Sequence, residues 1–199
     1  QIQYSAISRR WNIPARYYSK TFSIDDDTAQ QVLMIFIDTD PFVKKYYKEE
    51  VYKEEVSKQD TAAQKGWLHS VLQQRSSNIK WTIIVGHHPL YTGGRRLNSA
   101  DTRDVLNSFG PLMEQYKVDA YICGHEHDLQ YIKPPSAYTH FFVSGGGSEA
   151  RPGTKPHPNG GKFGASDHGF MSFSFTPSVF KMQVINWQGR VLYTTEVKK

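Results

Sequence analysis

Apolar residues in this chain come in short runs separated by polar, glycine-rich turns, and two kinds of periodicity alternate. Residues 17–24 alternate Tyr, Ser, Thr, Phe and Ile, which predicts a strand, and Asp25-Asp26-Asp27 follows as a hairpin-like turn. Residues 32–37, 81–86 and 118–123 are continuous apolar runs of strand length, as buried strands show. Asp60 or Thr61 caps a helix running to about residue 76, with Trp67, Leu68, Val71 and Leu72 as its buried stripe. Val105, Leu106, Phe109, Leu112, Met113 and Tyr116 recur at helical spacing, with Gly110-Pro111 marking a kink or restart. Residues 42–58 read as an exposed loop or helix, and 138–143 as a strand. Residues 150–167, rich in Gly, Pro and Lys, read as a long mobile loop. Terminal strands are expected near 170–175, 180–187 and 191–197, with Gln188-Gly189 turning the last pair. This βαβα order followed by an antiparallel meander predicts an α/β sandwich of two mixed sheets with helices outside. No repeat or linker divides residues 1–199, so one domain is expected.

Composition narrows the class. Of the 199 residues, 38% are hydrophobic and 14% aromatic, enough for a sizeable core and against global disorder. The net charge is +5, but the lysines between Lys44 and Lys65 are interleaved with glutamates, so no basic stripe of a nucleic-acid module emerges. The single cysteine, Cys123, lies in an apolar run and reads as a buried, inert thiol. No stretch approaches the ~20 apolar residues of a membrane span.

Candidate chemistry gathers at two strand ends. One carries Gly86-His87-His88-Pro89; the other carries Cys123-Gly124-His125-Glu126-His127-Asp128-Leu129-Gln130-Tyr131. In a mostly parallel sheet both turns fall at the carboxyl edge, where ligands bind. An extended backbone would project His125 and His127 to one side. Neutral imidazole suits zinc, iron, copper or nickel. His88, adjacent to His87 in a turn, is expected to point away. Asp38 reads as a residue that holds loop amides. The glycines of Ser144-Gly145-Gly146-Gly147-Ser148 allow close backbone approach, and their amides are candidates for facing an anion.

These two motifs resemble the last two metal motifs of the calcineurin-like metallophosphoesterases, and the second is most similar to purple acid phosphatases of the small, tartrate-resistant type. The opening run, Gln1-Ile2-Gln3-Tyr4-Ser5-Ala6-Ile7-Ser8-Arg9-Arg10-Trp11-Asn12-Ile13-Pro14, is similar to the same type. The family's Gly-Asp-x-Gly, Gly-Asp-x-x-Tyr and Gly-Asn-His-Asp/Glu motifs do not occur in these residues, so the resemblance is to the C-terminal part of the domain. It implies part of a four-layer αββα sandwich with two mixed β-sheets. It also implies Fe(III) held through His127, a second divalent metal (Fe, Zn or Mn) held through His87 and His125, and hydrolysis of phosphomonoesters. The N-terminal half is then an expected partner, in the same precursor or as another chain, and 1–199 alone is expected to be inactive. A secreted or lysosomal/vacuolar-like compartment follows from the resemblance; a nucleic-acid partner does not. The family carries a histidine in the loop after Gly-His-x-Pro. Here that loop reads Tyr91-Thr92-Gly93-Gly94-Arg95-Arg96-Leu97, which makes Arg95 or Arg96 the candidate phosphate contact. The competing readings are a phosphodiesterase or protein phosphatase on the same scaffold, and a non-enzymatic binding partner.

Overall fold

The computed structural model describes residues 2–199. A seven-stranded sheet is built from β1 (Tyr18–Ile24), β2 (Asp27–Phe36), β3 (Ile79–Val85), β4 (Ala120–Cys123), β5 (Leu129–Ile132), β6 (His140–Ser144) and β7 (Gly161–Ala165). Its spatial order is β1-β2-β3-β4-β6-β5-β7. β2, β3, β4 and β6 run parallel, while β1, β5 and β7 pair antiparallel with their neighbours. β8 (Gly169–Phe175), β9 (Val179–Asn186) and β10 (Val191–Lys198) form a second, smaller sheet. The larger sheet is therefore mixed, and the smaller is antiparallel throughout its described strands.

The two-residue period of each strand divides the core. Leu33, Ile35, Ile84, Tyr121, Phe141 and Val143 face one side, where they pack on helices α2 (Thr61–Gln73) and α3 (Ala100–Gln115) through Leu68, Leu72, Val105, Phe109 and Met113. Their sequence neighbours Val32, Ile83, Ala120 and Phe142 face the other side and meet Phe180, Met182 and Val184 of β9. The result is three layers: helices, large sheet, small sheet. Asp60 caps α2 by accepting from the Ala63 amide at 2.9 Å, as the sequence pattern predicts. α3 continues through Pro111 as one helix instead of restarting there. A short third helix, α1 (Glu50–Ser57), follows two 3-10 turns at Asp40–Phe42 and Lys44–Tyr47, so 42–58 is largely helical.

The turn after β1 follows the sequence pattern and the segment 150–167 departs from it, each for a physical reason. The hairpin turn does form, with Asp25 and Asp26 at φ of 50° and 61°, a left-handed pair that matches strand twist. The segment 150–167, in contrast, is no free loop. Its second part is β7, paired with β5, and its first part is pinned by Arg151 N to His127 O (2.9 Å), Lys155 N to Gly93 O (3.3 Å) and Thr154 Oγ1 to Asp128 Oδ2 (2.6 Å). Gly and Pro content signalled irregular backbone, and tertiary hydrogen bonds fix it.

Candidate metal centre

Parallel pairing brings the ends of β2, β3 and β4 to one crest, where Thr39, His87, His88 and His125 follow. The turns are laced together: Gly86 N donates to Ile122 O (3.0 Å) and Gly124 N to His87 O (3.2 Å). A Cβ at Gly86 would stand 2.4 Å from the Tyr121 hydroxyl, so only glycine lets the crest close. His87 Nε2 and His125 Nδ1 converge to 2.9 Å.

His125 reaches that position through a left-handed backbone, φ 65°. A non-glycine residue pays about 1–2 kcal/mol for this conformation. The turn is held by Glu126 N to Gly124 O (2.8 Å) and by an ion pair inside the loop. Glu126, 1% exposed, accepts from the Arg96 amide, and its other oxygen lies 3.3 Å from Arg96 Nη1, which also donates to His125 O at 3.2 Å. The expected extended Gly-His-x-His geometry is thus replaced by a tight turn. The ring of His125 meets His87, while His127 Nδ1 lies 2.7 Å from Glu149 Oε2.

His88 departs from expectation in the opposite sense. It does not point away but is fully buried, its ring centroid 4.2 Å from that of His125. Both its nitrogens are already occupied: Nδ1 by Thr39 Oγ1 and Nε2 by the Tyr46 hydroxyl, each at 2.8 Å. Although His87, His88 and His125 bring nitrogen atoms within 4.8 Å of one another, His88 backs the cluster and leaves the donor role to the other two. No local pattern signals this, because Thr39 and Tyr46 lie on another connection.

Burial is the main cause of every histidine shift here. It lowers the pKa of His87, helped by Arg96, and that of His125 to about 3, with Arg96 and His87 adding to it. Neutral rings with free lone pairs are what a divalent cation needs. His125 Nε2 is buried without a hydrogen-bond partner. The converging His87 Nε2 and His125 Nδ1 fit two donors of one metal ion, with the orphaned Nε2 left on the other side of the His125 ring. The only such cluster among the described residues is made of imidazoles, which does not fit a complete two-metal site. A cleft of about 1150 Å³ opens beside His87 and His125, bordered by Arg16, Asp38, Asp40 and Tyr46. Asp38 accepts from the Asp40 amide at 3.0 Å, the loop-holding role expected of it. Burial and the neighbouring Asp38 push the Asp40 carboxyl up to about 6, against Arg16.

The other candidates sort differently. Arg95 is exposed, whereas Arg96 is committed to Glu126. The glycine run packs against protein: Gly145 N donates to Asp128 O (2.9 Å), and a Cβ at Gly145 would clash with the Glu126 carbonyl oxygen. Cys123 is buried, and burial raises its thiol well above the usual range.

The calcineurin-like phosphoesterase profile matches residues 3–129. Purple acid phosphatase 7 of Arabidopsis thaliana is 35% identical over 86% of this chain and 53% of its own length. Tartrate-resistant acid phosphatase type 5 of Sus scrofa is 28% identical over 100% of this chain and 59% of its own. The chain therefore spans about half the length of the curated relatives it matches. Among solved structures, GAP50, the anchor in the inner membrane complex of Plasmodium, superposes with a TM-score of 0.70 at 20% identity, covering 92% of this chain and 53% of that one. The purple acid phosphatase PPD1 from yellow lupin (Lupinus luteus) seeds gives 0.66 at 17% identity, covering 94% and 34%. At these identities the structures show the shared fold alone.

Proposed function

The chain belongs to the calcineurin-like phosphoesterase family, and on that premise we propose that it contributes the histidine donors of an acid phosphatase centre acting on phosphomonoesters. The observation that carries this reading is the convergence of His87 Nε2 and His125 Nδ1 at the crest of a parallel sheet. His87 and His125 are the proposed ligands of a divalent ion (Fe, Zn or Mn), and His127, set apart beside Glu149, that of Fe(III). Metal ions held there would supply Lewis acidity toward a phosphoryl group and a water. This chain's own residues do the rest of its share. Burial keeps the two imidazoles neutral, His88 wedges the crest through Thr39 and Tyr46, and Arg96 with Glu126 holds the His125 turn. Arg95, exposed and without the ion pair that commits Arg96 to Glu126, is the arginine proposed to contact phosphate.

Three imidazoles are too few donors for two metals with room for substrate. The remaining ligands are therefore proposed to come from outside these 199 residues, in the same precursor or from another chain. A secreted or lysosomal/vacuolar-like setting is the compartment proposed with it. The test measures metal content and hydrolysis of p-nitrophenyl phosphate at pH 5 for the full-length protein and for 1–199 alone. Activity and bound metal in the former, neither in the latter, and loss of both on His87→Ala are expected. Metal-free full-length protein, or His87→Ala with undiminished metal and turnover, overturns the reading.

A further inference from the structure

Asp101 lies in the first turn of α3 and is only 3% exposed. The helix cap there is Ser99, whose hydroxyl accepts from Thr102 N at 3.4 Å, so Asp101 is not needed to cap. Its Oδ2 takes Lys45 Nζ at 2.8 Å and stands 3.8 Å from His125 Nε2. The Lys45 contact alone does not explain a buried carboxylate. The turn that carries Lys45 is already tied to α3 next door, where Asp104 accepts from the Lys44 amide at 3.0 Å and pairs with Lys44 Nζ at 3.4 Å. The same oxygen faces the buried nitrogen of His125 that has no partner.

A neutral imidazole carries one N–H, and the group facing one nitrogen decides which atom holds it. We infer that Asp101 is the positioning residue for His125. Its carboxylate is the acceptor for the Nε2–H, which stays on the ring and fixes the tautomer whose Nδ1 lone pair faces His87. A charge-assisted N–H···O contact is roughly 1 Å shorter than the present separation, so ring and carboxylate close on each other when Nδ1 engages a cation. Arg96 already anchors the backbone of the turn through the His125 carbonyl, and Thr102 Oγ1 donates to Arg96 O at 3.2 Å, so α3 and the turn form one unit. The inference rests on the metal reading of His87 and His125. It adds a residue that no strand-end motif contains.

The test titrates Co²⁺ into the metal-free full-length protein and follows the visible spectrum, with urea unfolding of each metal-free variant as the fold control. Asp101→Asn, which keeps the volume and removes the charge, is expected to weaken Co²⁺ binding by roughly tenfold or more. Lys45→Met removes the lysine contact but leaves the carboxylate, and is expected to stay within about threefold of wild type. Loss in Lys45→Met equal to that in Asp101→Asn means that Asp101 acts only through packing, which overturns the proposal. So does unchanged affinity in Asp101→Asn when His87→Ala abolishes binding. Unchanged binding in His87→Ala instead overturns the metal reading itself. Should Asp101→Asn not fold, the ¹⁵N spectrum of the wild-type imidazoles decides. Protonated Nε2 with bare Nδ1 on His125 is expected, and the opposite tautomer refutes the assignment.

Discussion

Arg95 and Arg96 are neighbours with opposite circumstances. Arg96 neutralises Glu126, a carboxylate with 1% exposure, and fastens the carbonyl of His125. Arg96→Ala strands that charge and loosens a turn already strained at His125. A loss of about 1–3 kcal/mol is expected, measured by urea unfolding, with weaker metal binding as a consequence. Arg95 is exposed, so Arg95→Ala should leave stability within about 0.5 kcal/mol. If it contacts phosphate, inhibition by inorganic phosphate weakens instead. A parallel pair of inhibition and unfolding curves separates the two arginines. Equal destabilisation by both substitutions contradicts the division.

At the level of elements, the strap 150–160 meets the loop after β3 at Gly93 and bonds to Asp128, whose carboxylate also accepts from Gln130. Gln130 Oε1 accepts from the Gly93 amide at 2.6 Å, and its Nε2 donates to Thr92 Oγ1 at 2.9 Å. A Cβ at Gly93 would lie 1.9 Å from the Lys155 carbonyl oxygen, whereas one at Gly147 meets nothing within 4 Å. Gly93→Ala is therefore expected to unseat the strap, at a cost of about 1–3 kcal/mol, and to expose it to limited proteolysis. Gly147→Ala should leave the digestion pattern unchanged.

The start of β6 adds a pH dependence. His140 is held near pKa 4, chiefly by burial and then by Lys133, and its Nδ1 is 2.9 Å from the Tyr131 hydroxyl. The unfolded chain binds this proton near 6.5 and the folded one only near 4, so between these values unfolding takes up a proton. The contribution of neutral His140 is complete above about 6.5, and stability falls as the pH drops toward 4. Urea midpoints at pH 7 and 4.5 should differ less in His140→Gln than in wild type.

For the molecule as a whole, the large sheet is the spine and its two faces are separate cores. Trp81 couples the sheets: it is fully buried against Phe180, and its indole N–H donates to Thr176 O at 2.7 Å. Trp81→Ala should cost about 3–5 kcal/mol, seen as a large drop in calorimetric midpoint. Residue patterning alone determined the central parallel strands of that spine. Runs such as 81–86 and 118–123 have nowhere to go but a buried parallel sheet, and their ends must then share one crest with His87 and His125. What lay beyond patterning was which groups meet across that crest. β5 is only four residues long and β7 is full of glycine, so neither announces itself by period. Likewise His88 turns inward, His127 turns toward Glu149, and Asp101 comes up behind His125 because connections distant in sequence supply Thr39, Tyr46, Glu149 and α3. Periodicity records which side of an element is buried. The partner waiting on that side is set by packing between segments far apart in the chain, and only the tertiary structure decides it.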